Sequence, residues 1–356
     1  MTSDSIDKQL RQFLTDIFCG VRSNTPFSTM DFVHLLLDAV EHQDFVNNTS
    51  LRLGGPTGET VFARLKEASV DTINEAFHAQ LTSMLRFMTR LLRNRCIALA
   101  FDTTDEPYYG RVAGLWMHPH CEAKGSTGCF KFLTVSAVDA KNRMVLGVLP
   151  VSVGADIVLL VERLLMHARQ VISPRLCLFD RGFDNYQLVE RLQSLSVRYQ
   201  ILWRKSAWTT KELRDMCRGE IREVNRTGVY SRDKTKYKVR LRFVLIKQYR
   251  RFAKGKAYNW VFCTNTRERW AHTYVDKYRQ RWGIETGFRV LDNAQIKTTT
   301  KNVVIRHFLL MFSCLVYNLW KLTSYIDGQI SLKNFTVAIL RTFPPITRKI
   351  FSIPDG

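Results

Sequence analysis

Two short apolar runs, each closed by an aspartate, constrain this chain more than any other feature. Ile97-Ala98-Leu99-Ala100-Phe101 ends at Asp102, and Leu176-Cys177-Leu178-Phe179 ends at Asp180. Apolar runs of this length between polar flanks read as strands, so each aspartate is expected at a strand end. Further along, Tyr278, Arg281, Glu285 and Arg289 lie three or four residues apart. At about 100° per residue they share one helical face, with Trp282, Ile284 and Phe288 marking an apolar side. A solvated face with i,i+4 ion pairs explains a lone Arg-x-x-x-Glu. The company of two strand-end aspartates points instead to an acidic site, because paired carboxylates on rigid elements suit two divalent ions.

These residues resemble the DDE transposases of bacterial and archaeal insertion sequences, in the group whose glutamate sits in a Tyr-(2)-Arg-(3)-Glu-(6)-Lys signature. Tyr278, Arg281 and Glu285 match three of its four positions by spacing, and the fourth is Asp292 where the signature has lysine. Arg289 and Lys297 are the nearby candidates for the missing positive charge. Asp102-Thr103-Thr104 and Asp180-Arg181-Gly182-Phe183 resemble two further family blocks, so the likeness covers roughly residues 95 to 325. It implies an α/β fold: a ribonuclease-H-like mixed sheet with flanking helices, a β-rich insertion and an N-terminal helical domain that binds DNA ends. It also implies Mg(II) or Mn(II) as two ions, with Asp102 bridging them and Asp180 and Glu285 each holding one. Tyr278, Arg281 and Arg289 would contact phosphates near the cut. The implied partner is double-stranded DNA, both transposon ends and target, bound by a homodimer in a prokaryotic cytoplasm as a nucleoid-associated protein. A metal-dependent nuclease without strand transfer, or a catalytically inactive DNA-binding derivative, is the alternative. Asp105 is a rival first ligand, whereas Asp184 and Asp292 read as surface acids.

The charge agrees with a polyanionic partner: 356 residues carry a formal net charge of +21, with 46% apolar residues, enough for a globular core. The excess is not spread evenly. Residues 201–256 hold 18 Lys/Arg against 5 Asp/Glu, while residues 1–95 hold 10 against 11. Within the basic stretch Lys236, Lys238, Arg240 and Arg242 alternate with Tyr237, Val239, Leu241 and Phe243, the pattern of a strand with one basic and one apolar face. Interleaved aromatics suit a groove that follows a phosphate backbone. In relatives an insertion tryptophan can stack on a displaced base, which makes Trp203, Trp208 and Trp260 candidates.

Taken in order, residues 1–93 read as helical, with Ser28 an N-cap and Asn47 to Thr57 a turn-rich break around Gly54-Gly55-Pro56. Their charge presses no DNA-binding role, leaving a packing or dimerisation bundle as an equal reading. Residues 94–200 form the first part of the core, 201–263 the basic β-rich insertion, 264–325 the second part of the core with the glutamate helix, and 326–356 a tail or short helix. Lys297 to Asn302 is a polar loop. Met1-Thr2-Ser3-Asp4 carries no basic or apolar leader, so no secretory signal is expected. The apolar run from Phe308 to Trp320, about 13 residues, is too short to span a bilayer and reads as a buried helix. Eight scattered cysteines indicate free thiols in a reducing compartment. His118, His120, Cys121 and Cys129 lack the spacing of a common structural zinc site and read as a loop between two strands.

Overall fold

An antiparallel meander followed by parallel crossovers lays down the centre of the protein, in a computed structural model that describes residues 3–18, 26–92, 97–121, 123–139, 143–250, 257–282, 287, 290–344 and 346. The strands are β1 (Ala98–Tyr108), β2 (Met117–His118), β3 (Gly128–Val138), β4 (Arg143–Val151), β5 (Leu176–Phe179), β6 (Tyr199–Leu202), β7 (Ile221–Arg232), β8 (Thr235–Arg250) and β9 (Ala257–Thr264). They make one mixed sheet in the order β3-β1-β5-β6-β9-β8-β7, and β2 and β4 share the outer edge of β3. β1 is antiparallel to β3 but parallel to β5, and β5 is parallel to β6. Parallel neighbours need a crossover, which α6 (Ile157–Val171) and α7 (Tyr186–Ser194) supply. The basic strands β7 to β9 continue this sheet through the antiparallel β6–β9 pairing.

Both faces of the sheet are covered. On one, α6 comes so close to β4 that a Cβ on Gly147 would meet Leu164 at 2.9 Å. α7 lies on the same side, where the Gln193 amide donates to the Tyr199 hydroxyl at 3.1 Å. The other face carries α9 (Ala271–Arg279) and α10 (Val303–Ile326). The Asn318 side chain of α10 pairs with Val145 as a strand would, accepting from its N–H at 3.0 Å and donating to its carbonyl at 2.8 Å. Arg306 of α10 is almost wholly buried; it pairs with Glu106 of β1 at 3.0 Å and donates to the carbonyls of Thr298 and Thr300. That one guanidinium fixes the polar loop 297–302 against the sheet.

The N-terminal helices α1 (Ser3–Phe18), α2 (Thr29–His42), α3 (Val46–Leu53), α4 (Gly58–Arg64) and α5 (Val70–Leu92) wrap α10. Phe13 stacks on Phe308 with centroids 6.2 Å apart, so these helices and the sheet share one core. Ser28 caps α2 through a capping box with Asp31, as its sequence position requires. α8 (Ala207–Arg214) and α11 (Leu332–Leu340) complete the fold.

Three expectations change. Asn47 to Leu53 is helix, not turn: α3 ends on Gly54 in the left-handed region at φ 66, so only the glycines and Pro56 form the break. β1 does not stop at Asp102 but runs six residues further, to Tyr108, because β3 pairs with it throughout. α10 has 24 residues, more than the apolar run alone, long enough by length and composition to cross a membrane; most of it is buried inside the protein.

His307 on α10 is completely buried against Phe132, and neither ring nitrogen has a hydrogen-bond partner among the described residues. Burial drives its pKa down to about 3. Above pH ~6.5 the ring is neutral folded and unfolded; below it the unfolded chain takes up a proton that the folded chain refuses. Stability is therefore expected to fall by about 1.4 kcal/mol per pH unit from this group alone between pH ~6.5 and ~3. Denaturant titrations across that window should show a shallower pH slope for His307→Phe than for the parent.

Candidate active site

Register alone brings the two aspartates together. β1 and β5 pair in parallel with Phe101 opposite Phe179, whose rings stack at 4.7 Å and 11°. Asp102 and Asp180 occupy the next position on each strand, so both turn to the face opposite those rings, with their backbones about 5 Å apart. Asp180 remains extended (φ −84, ψ −172), and its carboxylate accepts from the Gly182 N–H at 2.8 Å. A Cβ at position 182 would lie 3.1 Å from the same oxygen, which explains the glycine in Asp180-Arg181-Gly182.

The face they turn to is the one covered by α9. α9 closes into a tighter 3-10 turn at Gln280–Trp282, and this turn presents Arg281 to Asp102 at 2.9 Å. The Arg281 side chain is only 6% exposed, so the contact is a buried ion pair. One helical turn earlier Tyr278 is fully buried among Trp260 and Phe262. Burial pushes its phenol well above the ordinary value, opposed by Arg281; Asp180 and Asp102 both add to the rise, so the hydroxyl lies within the field of both aspartates. It has no hydrogen-bond partner among the described residues. Residues 287 and 290–292 are helical, while Glu285 and Arg289 lie outside the described residues.

Several neighbours of this centre escaped the sequence reading. Asp184, expected at the surface, has a side chain only 16% exposed; it pairs with Arg204 at 3.5 Å. Burial raises its carboxyl above the usual range, and Asp180 contributes. Tyr258 on β9 is contacted by Arg181 through its hydroxyl and by Lys205, whose ammonium stands 4.1 Å from the ring centre. Arg181, next to Asp180 in the chain, thus meets Tyr258 and Lys205 from two other segments. The adjacency of Arg181 to Asp180 was the one available signal; the others depend on how β6 and β9 pair.

Asp105 falls away as a rival ligand for a geometric reason. β1 pairs with β3 without a register shift from Ala98 to Tyr108, so side chains alternate and Asp105, three residues on, faces away from Asp102. It pairs instead with Lys131 at 3.4 Å. Asp292 is exposed.

The basic strand has the expected alternation: Lys236, Lys238 and Arg240 are exposed while Val239, Leu241 and Phe243 are buried. Tyr237 departs from it, 42% exposed and stacked on Tyr230. Arg242 is held by Glu223, Tyr274 and the Thr266 carbonyl. The stripe does not reach the aspartates. Phe243 is level with Phe179 through Cys263 and Ile201, and Lys236 lies seven residues before it, about 24 Å toward the opposite end of the sheet. Two basic cavities open at that end, one of about 460 Å³ lined by Arg175, Arg198, Arg267 and Lys277, the other of about 610 Å³ lined by Arg226, Arg240 and Arg242. Lys297 is exposed, its backbone tied to Asp44 at the start of α3. Of the tryptophans, Trp260 and Trp203 are buried, and Trp208 is half-buried under Arg226 at 4.5 Å.

Strand order and paired aspartates define a ribonuclease-H-like core. The family model described as transposase DDE domain matches residues 100–319, and the chain belongs to that family. Among solved structures it is similar to the piggyBac transposase in a synaptic complex with hairpin DNA, determined by cryo-EM, with a TM-score of 0.54 and 14% identity over 96% of this chain and 77% of that one. At that identity the likeness concerns the fold. No curated protein matches the sequence.

Removing one partner of a buried ion pair leaves an uncompensated charge, so Arg281→Met is expected to destabilise the protein by about 3–5 kcal/mol. Adding Asp102→Asn should recover part of that loss. Guanidinium unfolding of the four members of this double-mutant cycle measures the coupling; additive losses would mean the pair contributes nothing.

Proposed function

We propose that this protein is an active DNA transposase of an insertion sequence, which binds terminal inverted repeats, cuts phosphodiester bonds and joins the freed 3′ ends to target DNA. The observation that carries the reading is the register match that seats Asp102 beside Asp180 and under Arg281. The donor set suits Mg(II) or Mn(II): carboxylate oxygens of Asp102 and Asp180, and by sequence spacing Glu285, with neither thiol nor imidazole among them. When bound, two such ions activate a water or a 3′ hydroxyl and neutralise the charge that builds on the phosphate and the leaving oxygen.

The chain's own residues do the rest. Asp102 and Asp180 hold their positions because the strands beneath them are buried and their rings are stacked. Gly182 directs one oxygen of Asp180, and Arg281 directs one of Asp102. Arg181 and Lys205 place positive charge where a scissile phosphate would enter beside Asp180. In the first step water displaces the 3′ oxygen from phosphorus; in the second, that 3′ hydroxyl displaces an oxygen of a target phosphodiester. Lys236, Lys238 and Arg240 hold the duplex further along, about seven base pairs of rise from the cut. A homodimer assembling on paired ends fits this arrangement.

With DNA carrying the element's terminal repeats and Mg(II) or Mn(II), cleavage is expected in the parent. It should drop by about three orders of magnitude, equivalent to about 4 kcal/mol of barrier, in Asp180→Ala and Glu285→Ala while binding persists. Binding without cleavage in the parent would sink the proposal; cleavage of pre-cut ends without joining would reduce it to a nuclease. Lys236→Ala with Lys238→Ala should weaken DNA binding at all sequences and lower the salt dependence of log K by about two. The cleavage rate at saturating DNA should stay within about twofold of the parent, because these contacts position the duplex.

A further inference from the structure

Three potential metal ligands converge on the sheet face that the aspartate site does not use. Asp105 on β1 and Cys129 on β3 are diagonal cross-strand neighbours, since Asp105 pairs with Lys131 and Pro107 with Cys129. Cys121, from the loop joining β2 to β3, completes the group: the two sulfurs and a carboxylate oxygen all lie within 4.8 Å of one another. Cys129 is fully buried and Cys121 half-buried, and both are free thiols. The loop is brought back onto the strands by Thr127, which bonds the carbonyls of Tyr108 and Gly110, and by the Cys129 thiol, which donates to the His120 carbonyl at 3.3 Å.

We propose that Asp105, Cys121 and Cys129 form a binding site for a thiophilic divalent ion, Zn(II), that clips the loop joining β2 to β3 onto β1 and β3. Ligand atoms around tetrahedral Zn(II) lie about 3.3–3.8 Å apart, given bonds of about 2.0–2.3 Å, so a closure of about 1 Å completes the geometry. Water or the exposed imidazole of His120, next to Cys121, takes the fourth position. Binding releases two thiol protons. Two thiolates, one carboxylate and Zn(II) sum to −1, and Lys131, 3.4 Å from Asp105, supplies the balancing charge. Donor chemistry separates this ion from those of the aspartate site: sulfur selects Zn(II), whereas carboxylates alone suit Mg(II) or Mn(II).

The spacing His118, His120, Cys121, Cys129 hid this group. His118 is engaged elsewhere, its Nε2 2.8 Å from the Val151 carbonyl, and the third ligand comes from β1. The test uses the reduced, chelator-stripped full-length chain, titrated with Zn(II) against a chromophoric chelator and with Co(II) under ultraviolet and visible spectroscopy. The expected result is a single tight site with a thiolate-to-Co(II) charge-transfer band. Cys121→Ser, a loop substitution outside the core, should weaken Zn(II) by on the order of tenfold or more and diminish the band, without altering the metal-free melting curve. Asp102→Asn should leave Zn(II) affinity unchanged. Absence of the band in the parent, or equal affinity in Cys121→Ser, would overturn the proposal, as would a Cys121–Cys129 disulfide whose reduction restores no metal uptake.

Discussion

The parallel pairing of β1 with β5 is the constraint on which the site depends. A shift of one residue in that register would turn one aspartate to the wrong face, because strand side chains alternate. The register is held from both sides. Phe101 and Phe179 lock one face by stacking, while on the other Ala98, Ala100, Leu176 and Leu178 form a separate apolar cluster with Val138. The backbone of each aspartate is carried to its position by the apolar packing below it, and Gly182 and Arg281 then orient the carboxylates. Carboxylates on buried strands gain rigidity this way, and the polar surface begins where the apolar run ends.

Bringing two carboxylates side by side on a half-buried surface is unfavourable unless positive charge is near, and the fold supplies it in two tiers. Arg281 is buried and fixed on Asp102, and Arg181 and Lys205 are exposed on the Asp180 side. Arginine suits the first role because its guanidinium keeps its charge when desolvated and its planar fork matches a carboxylate. The turn that delivers it is a 3-10 tightening of α9, whose apolar residues Tyr274, Val275 and Tyr278 are pinned against β8 and β9. The basic strands therefore also support the site: β9 and β8 form the floor on which α9 rests.

How far the sequence revealed this arrangement followed the range of the interactions involved. Ile97 to Phe101 and Leu176 to Phe179 were legible as strands because both are buried on both faces and carry no polar interruption. The alternation from Lys236 to Phe243 was legible because only one face is covered. The continuation of β1 past Asp102 was not: Thr103, Thr104, Asp105, Glu106 and Pro107 have loop composition, and only β3 alongside and Arg306 beneath Glu106 make them a strand. Val46 to Leu53 failed for a similar reason, since Asn47, Asn48, Thr49 and Ser50 favour turns in isolation, yet Val46, Thr49 and Ser50 are buried against neighbouring helices. Arg204 reaches Asp184, and Lys205 and Tyr258 come together near Arg181, only through sheet topology, which no local pattern encodes.

The same sheet explains why the basic charge is strung out. An edge built from β7 and β8 presents unpaired backbone groups to solvent, and lysines and arginines on such an edge discourage pairing with another chain. They also concentrate the positive charge along one strand pair. The apolar face of β8 packs on α8 and on the residue that follows β6, through Phe243 against Trp208 and Trp203. Its basic residues are consequently confined to the remaining face, in a line set by the strand's own direction. That line runs away from the aspartates, so the basic stripe and the paired carboxylates occupy different ends of one sheet. The distance between them is fixed by hydrogen-bond register, and a flexible tether would not give the same precision.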